Sequence, residues 1–104
     1  MRGFIQCTMK QFHVYILANK KNGFLYIGMT SNLLKRIWEH REALVDGHTK
    51  KYSIKRLVYF ETYDDPETAA QRERKLKRWR REWKDALIEE NNPDWNDLYK
   101  TIAA

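Results

Sequence analysis

The stretch 26–41, YIGMTSNLLKRIWEHR, holds a phenol (Tyr26), a bare backbone position (Gly28), a guanidinium (Arg36) and an imidazole (His40). A second phenol, Tyr15, precedes it, and a carboxylate, Glu73, follows in a segment crowded with cations. Each residue type suits a different task. An imidazole with an ordinary pKa of ~6.5 exchanges protons near neutral pH. A phenol of pKa ~10 is only about 0.1% ionised at pH 7. For Tyr15 to act as a base, its surroundings must lower that value by roughly 2–3 units, a shift that a guanidinium and a metal ion within hydrogen-bonding range supply. Arg36 offers a planar fork that matches anionic oxygens in pairs. Gly28 either lets backbone approach a ligand closely or serves as a bulge glycine.

These groups meet only if the intervening elements place them together. Residues 12–18, FHVYILA, are rich in β-branched and aromatic types and read as a strand. NKKNG ends in Asn-Gly, a hairpin signal, and FLYIGMT returns as the second strand. With an even-length loop, the two-residue period puts Tyr15, Tyr26 and Gly28 on one face. Ser31 or Asn32 caps a helix over about 33–44 whose apolar side is Leu33, Leu34, Ile37, Trp38 and Leu44. Arg36 and His40 then lie one turn apart, about 40° around the wheel. VDGHTKKYS reads as a loop and IKRLVYFETY as a third strand. Asp64 or Asp65 caps a long helix starting at Pro66 and running to about Glu90, which Asn91, Asn92 and Pro93 end. Trp95, Leu98 and Ile102 are spaced for a short last helix. The expected fold is α/β (α+β): a three-stranded, mostly antiparallel sheet flanked by helices. An arm over 1–10 precedes a single domain over 11–104.

On the long helix, Ala69, Leu76, Trp83 and Leu87 cluster within about 40° of arc, with Trp79 beside them. Glu73 falls about 60° from Leu76, at the border of this stripe. A carboxylate facing partly inward needs a cation or a metal; Lys77 or Arg80 of the same helix would satisfy it. The four tryptophans, Trp38, Trp79, Trp83 and Trp95, are read as core. Between Gln71 and Lys84, eight of fourteen residues are basic. Of these, Arg72, Lys75, Lys77 and Arg80, with Lys35 on the first helix, are candidates for a phosphate-backbone track. Four such contacts would make log K fall with log salt at a slope of roughly −3.6.

The whole chain has 20 Lys and Arg against 14 Asp and Glu, a formal charge of +6, which favours a polyanionic partner. Its first 38 residues carry six cations and no acid. One cysteine, Cys7, excludes an internal disulfide and a cysteine-based zinc site, and points to a reducing, cytoplasmic setting. No apolar run reaches the ~18 residues of a membrane span, and the N-terminus lacks the features of a signal peptide.

The ordered set HVY (13–15), YIG (26–28), TSNLLKRIWEH (30–40) and QRERKLK (71–77) resembles the GIY-YIG nuclease domain. The likeness covers roughly residues 12–99, and the tail NNPDWNDL is similar to small stand-alone members related to the nuclease domain of the nucleotide-excision-repair C subunit. It implies phosphodiester hydrolysis in DNA, with RNA as an alternative, and a role such as DNA repair. Tyr15 would be the base, Tyr26 and His40 part of the proton network, Arg36 the phosphate ligand and Glu73 the ligand of one Mg²⁺ or Mn²⁺. Intrinsic pKa favours His40 as base, so the residues alone leave that role open. No acid precedes Glu39, so one metal is expected rather than two. Asn92, at the end of the Glu73 helix, is a further candidate. His13 replaces the motif glycine and would either crowd the site or join it. A partner protein, DNA shape or DNA ends would have to supply specificity. The competing readings are a non-catalytic nucleic-acid-binding module and a basic protein that docks on an acidic partner.

Overall fold

The computed structural model describes residues 10–44 and 47–103. The expected arm, apart from Lys10, lies outside them. Three strands, β1 (Phe12–Ala18), β2 (Leu25–Thr30) and β3 (Arg56–Tyr63), form one antiparallel sheet in the order β2-β1-β3. The β1–β2 register runs without a shift from His13↔Thr30 to Ala18↔Leu25. An even loop results, with Asn22 in the left-handed region at φ 61° and Phe24 N–H donating to the Asn19 side chain at 2.8 Å. Helix α1 (Leu33–Arg41) follows the hairpin, and a single turn, α2 (His48–Lys51), interrupts the expected loop.

The helix after β3 is not continuous. It divides into α3 (Pro66–Arg78) and α4 (Arg81–Asn91) because Trp79 and Arg80 are both extended, with ψ of 152° and 154°. Asp65 caps α3 as expected, accepting from Thr68 N–H at 2.8 Å, and Pro66 occupies the first turn. A short α5 (Tyr99–Ala103) closes the chain.

The sheet is covered on both faces, so its central strand β1 is buried from Val14 to Ala18. Val14, Ile16, Ile27 and Val58 pack against Ala69, Leu76 and Ile88 of α3 and α4. Tyr15, Leu17 and Leu57 pack against Leu33 and Ile37 of α1, with Leu98 and Ile102 beside them. Trp95 does not share a helical face with these last two. It sits in a left-handed turn, φ 56°, fully buried in the opposite core.

One irregularity in the sheet lies on β3, where the partners of Ile16 and Leu17 are Tyr59 and Leu57, so Val58 is the extra residue. Asn92 meets this bulge: its Nδ2 donates to the Val58 carbonyl at 3.1 Å and to that of Asn96 at 2.9 Å, and its Oδ1 accepts from Asn96 N–H. The polar atoms of Asn92 are thus committed to the fold, and the expected site role is withdrawn.

Candidate active site

Paired strands put partner residues on the same face. Tyr15 pairs with Gly28 and Leu17 with Tyr26, so both phenols and the glycine share the α1 side of the sheet. Gly28 is neither a bulge nor an open approach. A Cβ there would lie 2.5 Å from the Tyr15 hydroxyl and 2.6 Å from Cζ, because the Tyr15 ring crosses the bare backbone.

Helix α1 delivers the next two groups. Its buried stripe is Leu33, Ile37 and His40, at i, i+4 and i+7. Leu34 and Trp38 face out at 44% and 46% exposure, and Leu44 lies beyond a helix that ends at Arg41. His40 therefore occupies a core position, with its Nε2 3.3 Å from the Tyr15 hydroxyl. Its ring also lies 5.4 Å, centroid to centroid, from that of Tyr26, so phenol, imidazole and phenol form one cluster.

Burial lowers the His40 pKa, the positive Arg36 lowers it further, and Glu39 opposes both only in part. The imidazole is neutral at pH 7. Burial first, and the neighbouring Tyr26, push the Tyr15 phenol up to about 12; a hydrogen bond from Arg36 and its charge pull it down, and Glu73 raises it. Arg36 also donates to Glu39 Oε1 at 3.2 Å, a partner one turn ahead that the sequence reading passed over. Burial would weaken its charge, but the hydrogen bonds and the charge interactions with Tyr15 and Glu39 together outweigh it and raise its pKa. Around this fork, Met29, Thr30, Ser31, Asn32, Lys35 and Glu39 line an open cleft of about 280 Å³.

Glu73, in α3, is at the border of its helix as expected and pairs with Lys77 Nζ at 3.2 Å. Its negative charge contributes, last among the causes, to the raised pKa of Tyr15. Among the described residues there is no group of three or more His, Cys, Asp or Glu side chains able to hold an ion. A partly exposed carboxylate whose ion-pair partner is an exposed lysine suits Mg²⁺, which keeps several waters and completes its shell with substrate phosphate.

Two expectations change. Arg72 is not on a surface track: its Nε and Nη2 clamp Glu61 at 2.9 Å each, and the guanidinium stacks 5.1 Å from Trp79. Tyr59 and Tyr63 donate to the same carboxylate. Lys35, Lys75, Lys77 and Arg80 remain exposed. His13 neither crowds nor joins the phenols. It leans toward β3, with Nδ1 3.1 Å from Thr62 Oγ1 and its ring edge-on to Phe60.

Residues 11–86 match the GIY-YIG catalytic domain. The chain belongs to the GIY-YIG family. It is 38% identical over 76 residues to a UPF0213 protein of Clostridium perfringens, covering 73% of this chain and 81% of that one. A UPF0213 protein of Haloquadratum walsbyi is 30% identical over 82 residues, 79% of this chain and 92% of its own. The solution structure of the UPF0213 protein BH0048 from Bacillus halodurans superposes with a TM-score of 0.53 at 27% identity, covering 86% and 95% of the two chains. The chain is thus similar to small stand-alone proteins built on this domain, which is that of a nuclease family. No helix of the described residues is long and apolar enough to cross a membrane.

Proposed function

We propose that this GIY-YIG domain is a metal-dependent endonuclease that hydrolyses phosphodiester bonds in DNA, choosing substrates by structure rather than sequence. The observation that carries the reading is the Tyr15 hydroxyl held between His40 Nε2 and the Arg36 guanidinium.

Tyr15 and His40 are 1% and 2% exposed, whereas the Arg36 side chain is 40% exposed, so an incoming phosphate meets the guanidinium first. Arg36 exchanges Glu39 for the phosphate oxygens and turns its positive charge toward the reacting phosphorus. The phenol it uncovers is the group next to the attacking water. With a pKa near 12 for Tyr15, a standing phenolate amounts to about 10⁻⁵ of the protein at pH 7. Tyr15 therefore works as a relay: it takes the proton of water as its own passes to His40, whose neutral Nε2 accepts when Nδ1 carries the ring proton. Tyr26 packs against both rings and restricts their motion. Glu73 would hold the divalent ion, Mg²⁺ or Mn²⁺, which when bound supplies Lewis-acid stabilisation of the leaving oxygen. Lys35, Lys75, Lys77 and Arg80 contact backbone phosphates without reading bases. Residues 11–104 work as one domain in the cytoplasm, and choice among substrates comes from DNA shape, ends or a protein partner.

The test is cleavage of labelled single-stranded, duplex, nicked and branched DNA, and of RNA, with Mg²⁺ or with EDTA. Metal-dependent cutting that disappears in both Glu73→Ala and Arg36→Ala supports the reading. Binding without cutting, unaltered by Glu73→Ala, sinks it and leaves a binding module.

A further inference from the structure

The break between α3 and α4 has a chemical result at the surface. On a continuous helix Trp83 would follow Leu76 by seven residues and share its buried stripe. Two extended residues rephase the chain, and Trp83 comes out 51% exposed while Leu76 and Ile88 stay in the core. The Trp83 ring is not loose. Trp79 meets it at 6.0 Å in an edge arrangement, 88° between planes, and the Arg80 guanidinium lies 5.4 Å from its centroid.

This indole borders cations. Trp79, Trp83, Ala86, Leu87 and Glu90 line one open cleft of about 300 Å³. Gln71, Arg74, Lys75, Arg78 and Trp79 line a second of about 360 Å³. Trp79 is a wall of both, so an aromatic cleft and a cationic cleft are contiguous. Glu90 is the one carboxylate in these two linings, Arg80 joins the surface through its place over the Trp83 ring, and none of Arg74, Lys75, Arg78 and Arg80 has an ion-pair partner among the described residues.

An exposed, braced indole beside a row of cations matches one polyanion in particular. A duplex hides its base faces in the stack and offers only phosphates to such a surface, whereas a single strand offers phosphates and free base faces together. We infer that the Trp79–Trp83 surface is a binding subsite for single-stranded nucleic acid, with a base stacked on Trp83 and its flanking phosphates on Arg74, Lys75, Arg78 and Arg80. The inference rests on the nucleic-acid part of the reading above and not on cleavage.

The experiment is a fluorescence-anisotropy titration in EDTA, so that nothing is cut, with labelled oligo-dT, the same oligonucleotide carrying abasic sites, and a duplex of equal length. Wild type should bind oligo-dT about tenfold more tightly than Trp83→Ala does, and Trp83→Phe should recover most of the difference. Duplex affinity should be the same in all three proteins. The abasic strand should bind wild type as weakly as intact oligo-dT binds Trp83→Ala, with no further loss in the variant. Equal losses on single strand and duplex, or no loss at all, as for a surface that binds a protein, overturn the subsite. Failure of wild type to bind any nucleic acid overturns the proposed function as well. The half-exposed position keeps Trp83→Ala foldable, and its thermal midpoint checks this directly.

Discussion

The Tyr15 ring lies across Gly28, its cross-strand partner, so closely that the missing side chain at 28 is the space the phenol occupies. The glycine of the YIG segment thus serves the tyrosine of the neighbouring strand. Gly28→Ala should displace the ring from its place beside His40, because the flanking β1–β2 ladder leaves the backbone little room to retreat. Overpacking of this kind costs roughly 1–3 kcal/mol. Thermal unfolding should show that loss, and cleavage should fall with it. An alanine variant with wild-type stability and activity would contradict the geometry.

Stability should depend on pH through His40. Burial and Arg36 hold its folded pKa below the ordinary 6.5, so the unfolded chain binds more protons in the window beneath that value. The contribution of His40 is present above about pH 6.5 and is lost as the pH falls through the lowered folded pKa. His13 is shifted the same way by burial and adds to the effect. The thermal midpoint should drop between pH 7 and 5. His40→Gln should flatten that slope in part, and a double variant with His13→Gln should flatten it further. Unchanged slopes would show that other groups control acid sensitivity.

Glu39 holds Arg36, and in the proposed mechanism the guanidinium must leave it for the phosphate. Removing its charge should free the guanidinium. Because the pair is partly exposed, the gain is modest, on the order of 0.2–1 kcal/mol, or up to about fivefold in affinity. Filter binding of Glu39→Gln to a nicked duplex in EDTA measures it. Weaker binding would mean that Glu39 positions Arg36 rather than restraining it.

Arg72 and Lys75 separate structure from binding on one helix. Arg72→Met breaks a two-point clamp on Glu61 and should cost about 1–3 kcal/mol of stability, since it leaves a mostly buried carboxylate with its two tyrosine donors but no cation. The slope of log K against log salt should not change. Lys75→Met should do the opposite, leaving stability intact and reducing the slope by about one. Parallel denaturation and salt titrations of the two variants decide this.

The residues by themselves determined the strands, the helix start at Pro66 with its cap at Asp64 or Asp65, and the family, because these depend on local periodicity and on ordered motifs. The shared face of Tyr15, Tyr26 and Gly28 was legible for the same reason: a two-residue period across an even loop allows no other outcome. Tertiary structure decided the rest. His40 is a core residue because α1 rolls onto the sheet through Leu33 and Ile37, a rotation that a helix also carrying Leu34 and Trp38 does not reveal by composition. The α3–α4 break at Trp79 and Arg80 contains no proline or glycine to announce it. It places Leu76 and Ile88 in one core and sets Trp83 outside. The roles of Arg72 and Asn92 turned on partners far along the chain: Glu61 takes up one and the bulge at Val58 the other, and no spacing rule encodes pairings between segments that meet only on folding.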